Sequence, residues 1–142
     1  MDKVNDNFFG ILVLDKYEED VYRTSYVLDD CEVDVIIDYD LVKELDFLVD
    51  FIKDYNTKYE LIKKETFEGI LKLKNNQWRN EGEEESSLDE IDKHLELEII
   101  EFYGNCSVSL WFNDNDLFYG HYVIVDIKDI TKTDLKISFS LQ

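Results

Sequence analysis

Three residues near the C-terminal end are of types that do acid–base or metal chemistry: Asp114, Asp116 and His121. A histidine can act as a general base near neutral pH, and a carboxylate hydrogen-bonded to its ring would orient it. Carboxylate oxygens and imidazole nitrogens also ligate metal ions. The spacing of the three residues decides between these chemistries and a purely structural turn.

The spacing does not suit a metal ion. A calcium loop places oxygen ligands at fixed intervals, and counting from Asp114 puts Phe118 at the fifth position. A structural zinc site needs several nitrogen or sulfur ligands, commonly in short-spaced pairs. The candidate ligands of that type occur singly along the chain: Cys31, His94, Cys106 and His121. We predict no metal site and no cofactor.

The spacing favours a structural histidine over a catalytic one. Residues 113–116 lie between two β-patterned segments, and Asn and Asp readily form turns that their own side chains cap. If residues 117–127 form the next strand, His121 and Asp116 lie roughly 16 Å apart, and direct contact would require the turn to fold back. We predict no catalytic residue and no enzyme activity. An enzyme with His121 as general base, oriented by Asp114 or Asp116, remains an alternative.

The segments that must position this turn are strand-like at both ends and helical in the middle. Leucines at helical spacing from Leu41 predict a first helix with Asp40 as its N-cap, and a second helix follows. Ser87 and Glu90 fit a capping box that begins a short third helix. The predicted helices start at residues 41, 57 and 88, and the predicted strands are 8–14, 21–28, 31–38, 95–103, 107–112, 117–127 and 135–141.

This order of segments predicts one α+β domain, residues 1–142. We expect an antiparallel sheet, made from the N-terminal strands and a C-terminal four-strand meander, packed against two central helices. Gly69, within the second helix, suggests a close approach between helix and sheet. Whether the N-terminal and C-terminal strands share one sheet is left open by the sequence.

The net charge limits the classes of partner that the chain is expected to bind. Thirty-four acidic and 15 basic residues give a formal net charge of -19. Nucleic acids and anionic membranes are disfavoured as direct ligands because both are bound by clustered cations. A basic protein is the natural partner. The chain shows no secretory leader and no apolar run of membrane-spanning length, so we expect a cytoplasmic protein.

The carboxylates are densest between Glu81 and Glu98, where nine of them accompany one lysine, Lys93. Such a cluster steers the encounter with a cationic partner. Aromatic anchors for affinity are available at Tyr103, Trp111, Tyr119 and Tyr122. We predict that the partner-binding residues are Glu81, Glu83, Glu84, Glu85, Asp89, Glu90, Asp92, Asp114, Asp116 and Tyr119.

Two segments resemble a bacterial family of unknown function. Its members share a box close to D-D-G-D-L-F-W-G-H-x-I, which follows a helix ending near L-A-N-x-W. Here the box is Asp114 to His121, with Asn115 in place of the usual glycine and Tyr119 in place of the usual tryptophan, and the helix end is Leu73 to Trp78. Similar small acidic proteins occur beside polymorphic toxin genes and are suspected immunity proteins. The resemblance implies a protein that inhibits its partner by binding, and it implies no enzymatic activity.

Together these features predict a non-enzymatic, acidic binding protein, an immunity-type inhibitor that occludes a basic partner such as a toxin domain. The first alternative is a nucleic-acid mimic that acts against host defence or DNA-binding proteins, which would need carboxylates spaced along a ridge. The enzyme using His121 is the second. A scaffold whose acidity serves only solubility is the third.

Overall fold

A computed structural model describes residues 3–18 and 20–142; residues 1, 2 and 19 of the predicted domain lie outside the described residues. Its strands form one eight-stranded sheet in chain order, so the N-terminal and C-terminal strands do share a sheet. The predicted α+β class is confirmed. The strands are β1 (Lys3–Asp6), β2 (Gly10–Leu14), β3 (Val21–Leu28), β4 (Cys31–Asp38), β5 (Glu96–Phe102), β6 (Val108–Asn113), β7 (Val123–Lys128) and β8 (Lys136–Leu141).

The sheet is antiparallel except at its centre, where β4 and β5 run parallel, with Asp34 opposite Ile99. Parallel neighbours cannot be joined by a tight turn, so a long crossover must connect them. That crossover carries all the helices of the described chain. They are a 3-10 turn at Tyr39–Leu41 and the helices α1 (Asp46–Lys53), α2 (Tyr55–Gln77) and α3 (Leu88–His94).

The helices pack on one face of the sheet. Phe51 of α1 meets Phe102 of β5 edge to face, with ring centroids 6.0 Å apart. At Gly69 of α2, a Cβ atom would lie 2.8 Å from the ring of Phe139 in β8. The predicted close approach of helix and sheet is therefore confirmed. The core lies between these layers and includes the fully buried Val35, Ile37, Leu48, Ile62, Ile70, Ile100, Leu110 and Val123.

The turn between β3 and β4 is a two-residue hairpin, closed by Asp29 and Asp30 with φ of 50° and 65°. Both residues are left-handed, as a type I′ turn requires, and aspartate adopts this conformation more readily than most residues. The hairpin forms without a glycine.

The first helix begins later than predicted. Leu41 and Leu45 are buried, but α1 begins only at Asp46. Asp40 is not its N-cap, because the side chain of Asp38, at the end of β4, accepts from the Asp40 backbone N–H at 2.8 Å and caps a 3-10 turn instead. The apolar stripe continues across two elements, which a helical period alone cannot distinguish from one helix.

Among the described residues, no helix combines the length and the apolar composition that crossing a membrane requires.

Candidate functional site

The segment between β6 and β7 is a folded turn, so the predicted strand at 117–127 is wrong over its first half. Asp114 is 2% exposed, and its carboxylate accepts hydrogen bonds from backbone N–H groups of the turn. Its Oδ2 accepts from the backbone N–H groups of Phe118, Gly120 and His121 at 2.8, 3.1 and 3.2 Å. Its Oδ1 accepts from the N–H of Asp116 at 3.2 Å. These hydrogen bonds take the place of the backbone hydrogen bonds that a β-strand would have made to a neighbouring strand.

The backbone of this turn is left-handed at several positions. Asn115, Asp116 and Tyr119 have φ of 47°, 67° and 58°, and Gly120 has φ of 90°. No atom of a described residue lies within 4 Å of where a Cβ atom of Gly120 would be. The glycine therefore serves backbone conformation.

His121 is held by structural contacts. Its Nδ1 lies 2.7 Å from the carbonyl oxygen of Phe118, which can only accept, so Nδ1 carries the proton. Its ring packs edge-on against Trp78 at 4.9 Å. Among the described residues, no hydrogen bond joins the ring to a carboxylate. A cleft of about 280 Å³ lies beside it, lined by Asn113, Asp114, Asp116, Gly120, His121 and Tyr122.

The two segments that carry the family resemblance meet at the end of α2. We call this contact the helix-end cluster: Lys74, Trp78, Glu83, Phe118, Tyr119 and His121. The Lys74 ammonium, on a side chain only 2% exposed, donates to the Trp78 carbonyl at 2.6 Å and to Glu83 at 2.8 Å. The Tyr119 hydroxyl lies 3.0 Å from the same carbonyl oxygen and 3.0 Å from Glu83 Oε2, and its one proton is shared between these two acceptors. The cluster ties the turn to the helix and to the loop that follows it.

The hydrogen bond from Lys74, and a second from the Asn80 backbone N–H, lower the pKa of Glu83 to about 2. This carboxylate is therefore ionised throughout the physiological range, and its charge is matched by a buried cation. Its role in the fold is structural.

Residues 81–92, which we call the acidic segment, are partly neutralised. Besides Glu83, Glu85 lies 3.4 Å from Arg79, and Asp92 accepts from the Tyr59 hydroxyl at 2.6 Å and lies 3.9 Å from Lys63. One half of the predicted capping box of α3 is present, because the Ser87 hydroxyl accepts from the Glu90 backbone N–H at 3.3 Å. Four carboxylates of the segment are exposed without an ion pair to a described residue: Glu81, Glu84, Asp89 and Glu90.

Of the predicted partner-binding residues, Asp114 is buried and its oxygens accept from backbone N–H groups of the turn, so it does not lie on a contact surface. The other partner-binding residues stay predictions. Asp116 is exposed, and Tyr119 is 46% exposed while its hydroxyl belongs to the helix-end cluster.

A second acidic region lies on the sheet face opposite the helices. Strand register places its residues in two rows of cross-strand neighbours. We call these rows, together with Glu98 and Tyr122, the open face. One row is Arg23, Ile36, Glu101, Ser109, Asp126 and Ser138, and the other is Ser25, Asp34, Ile99, Trp111, Ile124 and Ser140.

The middle of the open face is apolar and its surroundings are acidic. Ile36 and Ile124 are 8% and 6% exposed although no helix covers them, and Trp111 lies between Ile99 and Ile124. Trp111 meets Tyr122 edge to face at 5.6 Å. Four carboxylates surround this centre, and none has an ion pair with a described residue: Asp34, Glu98, Glu101 and Asp126.

Neutral groups hold three of these carboxylates. Glu98 accepts from the Tyr122 hydroxyl at 2.7 Å and from the Asn113 amide at 2.8 Å. Glu101 accepts from the Tyr103 hydroxyl at 2.8 Å, and Asp126 from the Ser109 hydroxyl at 2.5 Å. The hydrogen bond to Glu98 raises the pKa of Tyr122, and burial raises that of Tyr103 to about 12, so both phenols remain donors. The carboxylates are fixed without losing charge.

Sequence reasoning named Trp111, Tyr103 and Tyr122 as possible anchors and counted Glu98 in the cluster that begins at Glu81, but it missed Asp34, Glu101 and Asp126. Alternation within β5 and β7 signals that Glu101 and Asp126 point away from the core. It does not say which strands are neighbours, and the parallel join of β4 to β5 brings Asp34 beside Ile99 across more than sixty residues of chain.

The chain matches a known family. The family model for uncharacterized proteins conserved in bacteria (DUF2262) matches residues 6–135. The chain belongs to this family. The prediction of a bacterial family of unknown function is thereby confirmed, while the C-terminal box and the link to immunity proteins stay predictions. The comparisons with curated proteins and with solved structures found no match.

The family match spans both the helix-end cluster and all but the last strand of the open face. Among the described residues, no group of three or more His, Cys, Asp or Glu side chains is arranged to hold a metal ion. The arrangement that the DUF2262 chain offers is thus a charged and aromatic surface together with a structurally committed turn.

Proposed function

We propose that this DUF2262 protein is a non-enzymatic binding protein of the immunity type, which occludes a basic partner protein such as a toxin domain with a cationic active site. The observation that carries the proposal is the open face, where four carboxylates that form no ion pair with a described residue surround an apolar and aromatic centre. Uncompensated charge attracts and orients a cationic partner, and desolvated aromatic groups supply affinity.

A protein partner is favoured over mimicry of nucleic acid by the arrangement of the carboxylates. A mimic presents its negative groups along a ridge that follows a phosphate backbone. On the open face, Glu101 and Asp126 flank Ser109 on neighbouring strands, roughly 10 Å apart by strand spacing, with Trp111 in the adjoining row. Carboxylates around an apolar centre resemble a protein interface, in which a charged rim surrounds a dry core.

Occlusion without turnover is favoured by the contacts of His121. Among the described residues no carboxylate holds the ring as the orienting partner of a general base would, because Nδ1 lies against the Phe118 carbonyl and Asp114 accepts from backbone N–H groups. A His121→Ala variant is therefore expected to retain partner binding. Turnover of any substrate by the native chain that is abolished in folded His121→Ala would overturn this part of the proposal. A cytoplasmic site of action stays a prediction.

The test of the function is capture from the native host with the immobilised chain, followed by kinetics on the recovered protein. The expected partner has a high isoelectric point, and its association rate falls steeply as ionic strength rises, because screening shortens the reach of the charge. An acidic or neutral partner, or an association rate that is insensitive to salt, would contradict the proposal. Capture of a DNA-binding enzyme whose binding DNA competes away would favour the mimic instead.

A further inference from the structure

We propose that the open face, centred on Trp111, is the surface that contacts the cationic partner, and that it receives arginine side chains from a basic protein. This inference rests on the proposed function and assigns a place to it. It differs from the expectation drawn from sequence, which placed the contact on the acidic segment together with Asp114, Asp116 and Tyr119.

The first argument is the way in which the carboxylates are held. Tyr122, Tyr103 and Ser109 fix Glu98, Glu101 and Asp126 through neutral hydroxyl donors. A neutral donor restricts the rotamers of a carboxylate while leaving its full charge and further lone pairs available. Binding then costs less side-chain entropy, which is the advantage of a preorganised surface.

The second argument is the chemistry at the centre. Carboxylates beside an indole ring suit a guanidinium group, which pairs with carboxylates through its planar fork and stacks on aromatic faces. Trp and Tyr are the residues most enriched among interface hot spots, and Trp111 and Tyr122 lie in contact.

The third argument is independent of charge. The indole Nε1 of Trp111 is the single buried side-chain polar atom without a hydrogen-bond partner among residues 3–18 and 20–142. A buried donor without a partner costs stability, and such groups are rare in folded proteins. Rotation of the ring on binding would let this N–H reach an acceptor on the partner.

The acidic segment fits the role less well. Its fixed carboxylates, Glu83, Glu85 and Asp92, already lie beside Lys74, Arg79 and Lys63. Its remaining carboxylates are on exposed side chains, which steer an encounter and contribute little to the bound state.

The chain's two tryptophans test the assignment directly, because Trp111 belongs to the open face and Trp78 to the helix-end cluster beside the acidic segment. The probe is a nona-arginine peptide, titrated into the ¹⁵N-labelled wild-type protein while the two indole N–H resonances are followed. Trp78→Phe and Trp111→Phe variants assign the resonances. We expect a saturable shift of the Trp111 indole signal that salt reverses, and a smaller shift of the Trp78 signal.

The outcomes separate this inference from the proposed function. A larger shift at Trp78, or equal shifts at both indoles, would overturn the open-face assignment while leaving a cationic partner in place. No response of either indole at low salt would overturn the assignment, and capture of no basic protein from the host would contradict the function itself.

Affinity for the recovered partner gives a second readout. Trp111→Ala is expected to weaken binding about 30-fold, the loss typical of a central hot spot. The matched control is Tyr17→Ala, which removes an aromatic side chain that is 98% exposed outside both regions and is expected to change affinity less than about twofold. Thermal unfolding of both variants checks the fold. Equal losses, or a folded Trp111→Ala protein with unchanged affinity, would contradict the proposal.

Discussion

The helix-end cluster and the open face are built from the same kinds of residue and use them differently. Each contains one of the two tryptophans, tyrosine hydroxyls and carboxylates. In the helix-end cluster, Glu83 is matched by the buried cation of Lys74, and the neighbouring Asp114 is saturated by backbone N–H groups. On the open face, hydroxyl and amide groups hold three of the carboxylates, and none of the four has an ion pair with a described residue. The first region stabilises the fold, and the second keeps its charge available.

This difference predicts that neutralising a carboxylate has opposite effects on stability in the two regions. Neutralising a carboxylate of the first region removes a stabilising interaction. Neutralising one on the open face removes repulsion from a chain with a net charge of -19. Surfaces kept for binding commonly show this exchange of stability for function.

The largest effect on stability is expected from Asp114→Asn. An amide group must turn its NH₂ toward a backbone N–H that the carboxylate now accepts, so at least one buried hydrogen bond to a charged acceptor is lost. We expect the free energy of unfolding to fall by about 2–3 kcal/mol, measured by urea denaturation. The isosteric control Asp116→Asn, at an exposed position, is expected to change it by less than about 0.5 kcal/mol. Equal effects would show that the turn does not depend on Asp114.

A smaller loss is expected from Glu83→Gln, because the Glu83 side chain is 34% exposed. Its pKa of about 2 in the folded protein lies below the ordinary value of 4.5. Its charge therefore stabilises the fold fully above pH 4.5, and this contribution disappears as the pH falls toward 2. The stability difference between wild type and Glu83→Gln should be greatest near pH 7 and shrink across that interval in urea denaturation.

A control for the Glu83 experiment is Glu84→Gln, at the neighbouring exposed position, which forms no ion pair with a described residue. Its difference from wild type is expected to be small at both ends of the range. A Glu83→Gln difference that stays constant from pH 7 to pH 3 would contradict the assigned role of the Lys74 ion pair.

The smallest effect, and one of opposite sign, is expected from the double variant Glu101→Gln with Asp126→Asn. The amide oxygens can still accept from Tyr103 and Ser109, while two negative charges are removed. Stability is expected to stay constant or rise by up to about 0.5 kcal/mol, measured by thermal and urea unfolding. A loss above about 1 kcal/mol would show that the open face also serves the fold and would erase the contrast between the two regions.

Much of the fold follows from the sequence because its signals are local. The alternation in β3, β4 and β8, the apolar period of α2 and the Ser87 cap each depend on residues close in the chain. The residues of the helix-end cluster were visible as two separate segments. The open face was not, because it depends on the parallel pairing of β4 with β5 across the whole helical crossover.

The turn at residues 113–116 was predicted, but its continuation through residues 117–122 was not, for a related reason. Residues 117–127 alternate as a strand does, but a buried carboxylate accepts the N–H groups that the first half of that strand would have paired. A local side-chain acceptor and a neighbouring strand compete for the same backbone N–H groups. A periodic pattern of side chains does not show which of the two will bind them.

The open face is tested most directly by the dissociation rate of the recovered basic partner from two triple variants of equal charge. One carries Asp34→Asn, Glu101→Gln and Asp126→Asn on the open face, and the other carries Glu81→Gln, Glu84→Gln and Asp89→Asn on the acidic segment. Both should slow association to a similar extent, since steering depends on total charge. The account predicts that only the open-face variant dissociates faster, by about tenfold or more. Equal dissociation rates, or faster dissociation from the acidic-segment variant, would contradict it.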